Sequence, residues 1–166
     1  MAKKSAPKVD PNSPLAKFMK AVEKTVDVSR LDKARKMLRA ERFQLFAEVK
    51  PQQMVGVVKS QTDVDLVYSC MLASDGRFSC CTQNLNPCGG LRGAPCKHLL
   101  VLTIGLVQAG QLDAATAETW MKASRKNEPK IEKEIMSETF LRYKGAESGT
   151  VDWRPTETIP EDYYAL

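Results

Sequence analysis

The sequence predicts an α+β protein in which an antiparallel β-meander runs into a cysteine-rich loop and an apolar helix, flanked by N- and C-terminal helices. Three observations carry this reading. Apolar residues recur at helical spacing near both ends of the chain, whereas from Phe43 they alternate with a period of two. Asp75-Gly76 sits between two such alternating runs, where a tight hairpin turn needs positive φ angles. The strand after that turn leads straight into Cys80-Cys81, and a nearly continuous apolar run follows His98.

The elements follow in order. Residues 1–12 are small, polar and lysine-bearing, with little to bury, and read as a disordered basic tail. Ser13 caps and Pro14 opens a first helix, with Leu15, Phe18, Met19, Val22 and Val26 on its apolar stripe. Ser29, with Asp32 three residues on, caps a second helix carrying Leu31, Ala34 and Leu38, so 13–42 is assigned to N-terminal helices. Phe43, Leu45, Ala47 and Val49 then share one face of a strand that Pro51 ends. Residues 54–60, 64–73 and 78–81 supply three more strands. In the third strand Val64, Leu66, Tyr68, Cys70 and Leu72 lie opposite Asp65, Val67, Ser69 and Met71. The apolar helix over 97–109 closes at Gly110, and 43–110 forms the central domain. Asp113 caps a helix bearing Trp120 and Met121. Asn127, with Pro129 in the first turn, opens a last helix with Ile131, Ile135 and Leu141 on one side, completing the C-terminal helices of 111–145. Residues 146–166 read as an acidic, extended tail.

Composition narrows the function classes. The chain has 166 residues, enough for a core without disulfides, and its 43% hydrophobic and 27% charged content suits a soluble globular protein. The longest apolar run, 99–107, contains Thr103 and Gly105 and is too short for a membrane span. No apolar stretch follows the N-terminal lysines, so a cytoplasmic location with reduced thiols is expected. The formal charge of +5 is unevenly spread: nine Lys or Arg face four acids between Lys17 and Arg42, and after Gly145 five acids face Arg154 alone. Such a distribution suits an anionic partner, nucleic acid or protein, or else simply solvates helix faces. Arg35, Arg39 and Arg42 share one face of the second helix, and with Arg92 they are the nucleic-acid-binding candidates.

Four of the five cysteines and the only histidine fall between positions 80 and 98. Cys96-Lys97-His98 places a thiolate and an imidazole at the mouth of a helix, and this soft donor pair favours Zn2+ over calcium or magnesium. A loop poor in apolar residues, between 82 and 95, would then be held by metal in place of burial. Catalytic readings find less support. Residues two apart on a helix, as Cys96 and His98 are, do not face each other as a nucleophile and base, and the His-x-Glu of zinc deaminases is absent. Gly89-Gly90-Leu91-Arg92-Gly93 lacks the spacing and the Lys-Ser/Thr ending of a phosphate loop. A Cys70–Cys81 disulfide would require an oxidising setting.

Phe78-Ser79-Cys80-Cys81 and Pro95-Cys96-Lys97-His98-Leu99-Leu100, preceded by Val57-Val58-Lys59-Ser60 and Val67-Tyr68, resemble the SWIM zinc finger, whose pattern is Cys-x-Cys, a spacer and Cys-x-His. The resemblance spans roughly residues 34–107. It implies a strand meander ending in a zinc-bound loop and helix, and binding to DNA or to other proteins. The first half departs from the pattern, because Thr82 stands two residues after Cys80, and the fourth ligand is then Cys81 or Cys88. Strand geometry separates the two. With Asp75-Gly76 as a two-residue turn, cross-strand partners sum to 151, so Cys81 faces Cys70 in the core and Cys80 takes the other face. The expected ligands are Cys80, Cys88, Cys96 and His98, with Cys81 as the alternate. The function expected is that of a non-enzymatic zinc-binding module and protein-binding subunit of a larger assembly; the alternative is a nucleic-acid-binding protein using its basic helix face.

Overall fold

A computed structural model describes residues 10–40 and 43–147 of the chain. Most of both tails, and Arg42, lie outside the described residues. The described chain runs through two helices, α1 (Pro14–Thr25) and α2 (Val28–Ala40), into four strands, β1 (Gln44–Lys50), β2 (Gln53–Lys59), β3 (Val67–Ala73) and β4 (Phe78–Thr82). Three helices complete it: α3 (Lys97–Gln108), α4 (Ala114–Ser124) and α5 (Lys133–Glu147). The strands form an antiparallel meander in the order β1-β2-β3-β4, so the α+β class holds.

Caps set several of these boundaries. The Ser13 side chain accepts from the Ala16 amide and Pro14 occupies the first turn of α1. Asp113 accepts from both the amide and the hydroxyl of Thr116 at the start of α4. Ser29 does not cap α2, which begins at Val28 and buries Leu31, Ala34 and Met37. Nor does Asn127 open α5. Its side-chain amide donates to the carbonyls of Asp75 and Ala123, tying the end of α4 to the β3–β4 turn. The chain then runs along the outer edge of β4: the Lys130 amide donates to Phe78, Ser79 Oγ donates to the Lys130 carbonyl, and the Glu132 amide donates to Ser79 Oγ. A strand edge with unpaired backbone groups invites association, and this segment covers part of it. Helix α5 therefore starts only at Lys133, and it buries Met136, Thr139 and Phe140 while Leu141 points outward.

Both faces of the sheet are covered. Helix α3 lies on one, over Met54, Val58, Cys70, Leu72, Phe78 and Cys80, and α5 packs on the other, over Val55, Val57, Met71 and Cys81. Helix α2 packs on α3, and α1 packs on α4. This two-sided burial explains why β2 and β3 are apolar along much of their length. Strand β1 departs from strict alternation through an irregularity between Gln44 and Phe46, which leaves Phe46 fully buried on the α5 face. Val64, expected to open the third strand, lies in the β2–β3 connection and is 89% exposed.

The β3–β4 turn contains three residues, Ser74-Asp75-Gly76. The Ala73 amide donates to the Arg77 carbonyl at 2.9 Å, and Gly76 takes the left-handed conformation with φ of 88°. Partners in this hairpin are therefore Cys70 with Cys80 and Ser69 with Cys81. That shifts the expected register by one residue and moves Cys81 to the face opposite Cys70.

Candidate metal centre

The corrected register builds the centre. Cross-strand partners share a face, so Ala47, Gly56, Cys70 and Cys80 form a row across the sheet beneath α3. The chain extends this row by turning back on itself after β4. The Leu85 amide bonds the Thr82 carbonyl, with Leu85 at φ of 60°, and the Thr82 amide bonds Asn86. The bridge between Cys81 and Pro87 and the bond from the Cys88 amide to the Cys80 carbonyl at 3.0 Å then set Cys88 beside Cys80. Cys88 thereby supplies from a neighbouring segment what a second cysteine on β4 could not. Adjacent residues of a strand point to opposite faces, and Cys81 lies among Val55, Val57 and Met71 on the α5 side.

Helix α3 brings the remaining two donors. Cys96 is its N-cap residue and His98 lies in its first turn. Gly90 makes the close return of the loop feasible: a Cβ there would lie 3.1 Å from Cys96 Cβ and 3.6 Å from Cys88 Sγ. Further along the row, a Cβ on Gly56 would lie 2.6 Å from both Leu102 Cδ1 and the Phe46 carbonyl oxygen. The missing side chain lets α3 lie low across the sheet, with its N-terminus over the cysteines.

The ligand atoms of Cys80, Cys88, Cys96 and His98 all lie within 4.8 Å of one another, and all four residues are buried. A tetrahedral zinc with Zn–S bonds of about 2.3 Å sets its ligand atoms roughly 3.5–3.8 Å apart. His98 Nδ1 lies 3.4 Å from Cys88 Sγ, close to that separation. The donor set fits a zinc ion: three soft sulfurs and one imidazole, all buried. Tyr68 stacks on the His98 ring with centroids 3.9 Å apart and planes at 17°, fixing the imidazole's orientation.

Burial and mutual hydrogen bonding set the thiols of the site apart. Burial pushes the thiols of Cys80 and Cys96 well above their ordinary range. Cys88, hydrogen-bonded by Cys80 and Cys96 and next to His98, is held far below it and carries the thiolate. Cys81, raised to about 11 by burial, is an inert thiol of the opposite layer.

Cys70 is the residue that sequence reasoning placed wrongly. It was expected opposite Cys81; instead its Sγ sits 3.6 Å from Cys80 Sγ and is fully buried. It stands behind the cluster as a donor to a ligand. A Cys70–Cys81 disulfide has no basis in this register, and all five cysteines are free thiols. The signal that would have placed Cys70 is the third turn residue, since Ser74-Asp75-Gly76 ends on the glycine a three-residue hairpin requires.

Of the arginine candidates, Arg35, Arg39 and Arg92 fall among the described residues. Arg35 pairs with Glu23 at 3.6 Å, Arg39 is exposed further along α2, and Arg92 lies in the loop between Cys88 and Cys96, beside the first turn of α2. Among the described residues no helix is long and apolar enough to cross a membrane. Comparison of the chain with protein families, curated proteins and solved structures returns no match. The likeness to the SWIM finger therefore rests on the motif residues and on a Cys3His cluster formed between a strand end, a loop and a helix mouth.

Proposed function

We propose that the chain is a non-enzymatic, zinc-binding interaction module of the SWIM type, acting in the reducing cytoplasm as a protein-binding subunit of a larger assembly. The observation that carries the zinc reading is the buried cluster of Cys80, Cys88, Cys96 and His98. Four protein ligands complete a tetrahedral ion and leave no position for a reacting water, which favours a structural over a catalytic metal. Partner binding is argued from charge: the basic character is mild, and Arg35 is already paired with Glu23. A nucleic-acid interface using Arg35, Arg39, Arg42 and Arg92 is the alternative, favoured by the exposure of Arg39 and Arg92.

Two measurements test this reading. Chelating the metal should unfold the region from Cys80 to His98 and abolish capture of partner proteins from lysate, because a structural zinc contributes folding energy directly. A stripped chain that kept its circular dichroism and melting temperature would refute the structural role. Titration with short single- and double-stranded DNA at two salt concentrations addresses the alternative. Binding that weakens steeply with salt, through counterion release, would favour nucleic acid.

A further inference from the structure

Beside the metal centre lies a cleft of about 550 Å³, the site of an unusual concentration of cations. Arg30 and Lys33 reach it from α2, Arg92 from the cysteine loop and Lys97 from the start of α3, against the single acid Asp27. Asp27 is already engaged by Arg30 at 3.4 Å. Arg30 also donates to the Arg92 carbonyl at 3.0 Å, which fastens the loop to α2 and holds the two arginines together. Among the described residues, the Lys33 and Arg92 side chains make no ion pair or hydrogen bond, so their charges are uncompensated.

The backbone adds to the same field. The first turns of α2 and α3 both border the cleft, and neither contains an acidic residue. Cys96, the N-cap of α3, makes no side-chain capping bond, because its sulfur belongs to the cluster. Gly89 and Gly90 line the wall, and at Gly89 a Cβ would meet only open space, so a ligand can approach the main chain closely. Cationic side chains converging on a concavity with exposed backbone suit a compact polyanion, which charge-assisted hydrogen bonds recognise.

We propose that this cleft binds a small polyanion carrying at least two adjacent phosphoryl groups, inorganic pyrophosphate or a nucleoside polyphosphate. A nucleic-acid strand fits less well, because the cations gather in a pocket and Arg35 is paired away from it on α2. The inference rests on the zinc reading in one respect: Arg92 and the two glycines lie between Cys88 and Cys96, so the cleft's wall is shaped by the metal loop.

Calorimetric titration of the zinc-loaded chain at low salt with pyrophosphate, ATP, citrate and a short single-stranded DNA tests the proposal. Pyrophosphate should bind, and the double variant Lys33→Ala/Arg92→Ala should weaken it by about tenfold or more while retaining zinc and melting behaviour. ATP binding more tightly than pyrophosphate would identify a nucleoside ligand, and equal binding an inorganic one. Failure of pyrophosphate and ATP to bind, unchanged affinity in the double variant, equal binding of citrate, or preference for the DNA would each overturn the proposal. Zinc content measured on the same samples separates the two readings: a zinc-loaded chain that ignores pyrophosphate refutes the cleft alone, and a zinc-free chain that binds it refutes the metal alone.

Discussion

Cys70, Cys80 and Cys88 occupy neighbouring positions in one row, yet they have different environments. Cys80 and Cys88 belong to the group whose ligand atoms lie within 4.8 Å of one another, while Cys70 reaches it only through Cys80. Cys81, one residue from Cys80, belongs to the other layer. Replacing Cys88 by serine should therefore abolish zinc binding, whereas Cys81→Ser should retain one zinc per chain by atomic absorption; the reverse pattern would restore the adjacent-strand arrangement. Cys70→Ala should keep the stoichiometry but weaken zinc by about tenfold, as loss of a donor to a ligand does, read by competition with a chromogenic chelator. Proton release sets the pH dependence. In the metal-free protein Cys80 and Cys96 hold their protons near neutral pH because burial raises them, and Cys88 does not. Zinc must displace those two protons, so affinity should rise with pH, by about a hundredfold per unit near neutrality. An affinity flat across that range would contradict this assignment of the thiolate.

Among the elements, α3 is the one whose position decides whether a site exists. Its N-terminus delivers Cys96 and His98, and its middle presses on β2 at Gly56. Gly56→Ala should cost about 1–3 kcal/mol in urea unfolding, since the new methyl collides with the Phe46 carbonyl as well as with Leu102. Gly89→Ala, where a methyl meets open space, serves as the control and should leave stability nearly unchanged. A small effect at Gly56 would mean that α3 rides higher than described. Much of this element level was legible in the sequence. Serine-proline and aspartate caps marked α1 and α4, alternation marked the strands, and the apolar run ending at Gly110 marked α3. The misses have local causes. Asp75-Gly76 reads as a two-residue turn because Asp-Gly alone satisfies that signature, whereas Ser74 joins it in the folded hairpin. Asn127 and Pro129 suggested a helix start, but Asn127 spends its side-chain amide on two carbonyls of other elements, a long-range use that no local pattern reveals. The four expected ligands cluster although the register that argued for them is off by one, and the return over 83–88 that sets Cys88 beside Cys80 leaves no periodic signal.

At the scale of the molecule, the candidate metal centre sits on one side of the sheet and α5 on the other, and on the zinc reading the two sides should respond differently to loss of the ion. The larger apolar cluster draws Phe18, Leu31, Phe78, Leu99, Leu102 and Met121 together with Cys80, Cys88 and Cys96, joining α1 to α4 around the centre. The smaller one, with Phe46, Val57, Met71, Cys81, Met136 and Phe140, contains none of the four ligands. It is further secured by the Arg142–Glu48 pair, whose two bonds of 2.7 and 3.1 Å tie α5 to β1. Hydrogen exchange after chelation should therefore lose protection first at the amides of Thr82 and Cys88 and in the opening turn of α3. Protection in β1, β2 and α5 should persist longer, because few of their backbone bonds depend on the loop. Uniform loss across all elements would mean that zinc sustains the whole fold as one cooperative unit. Unchanged exchange around Cys88 would mean that the strand return at Cys81 and Pro87 is stable without metal, and the zinc would then organise side chains more than backbone.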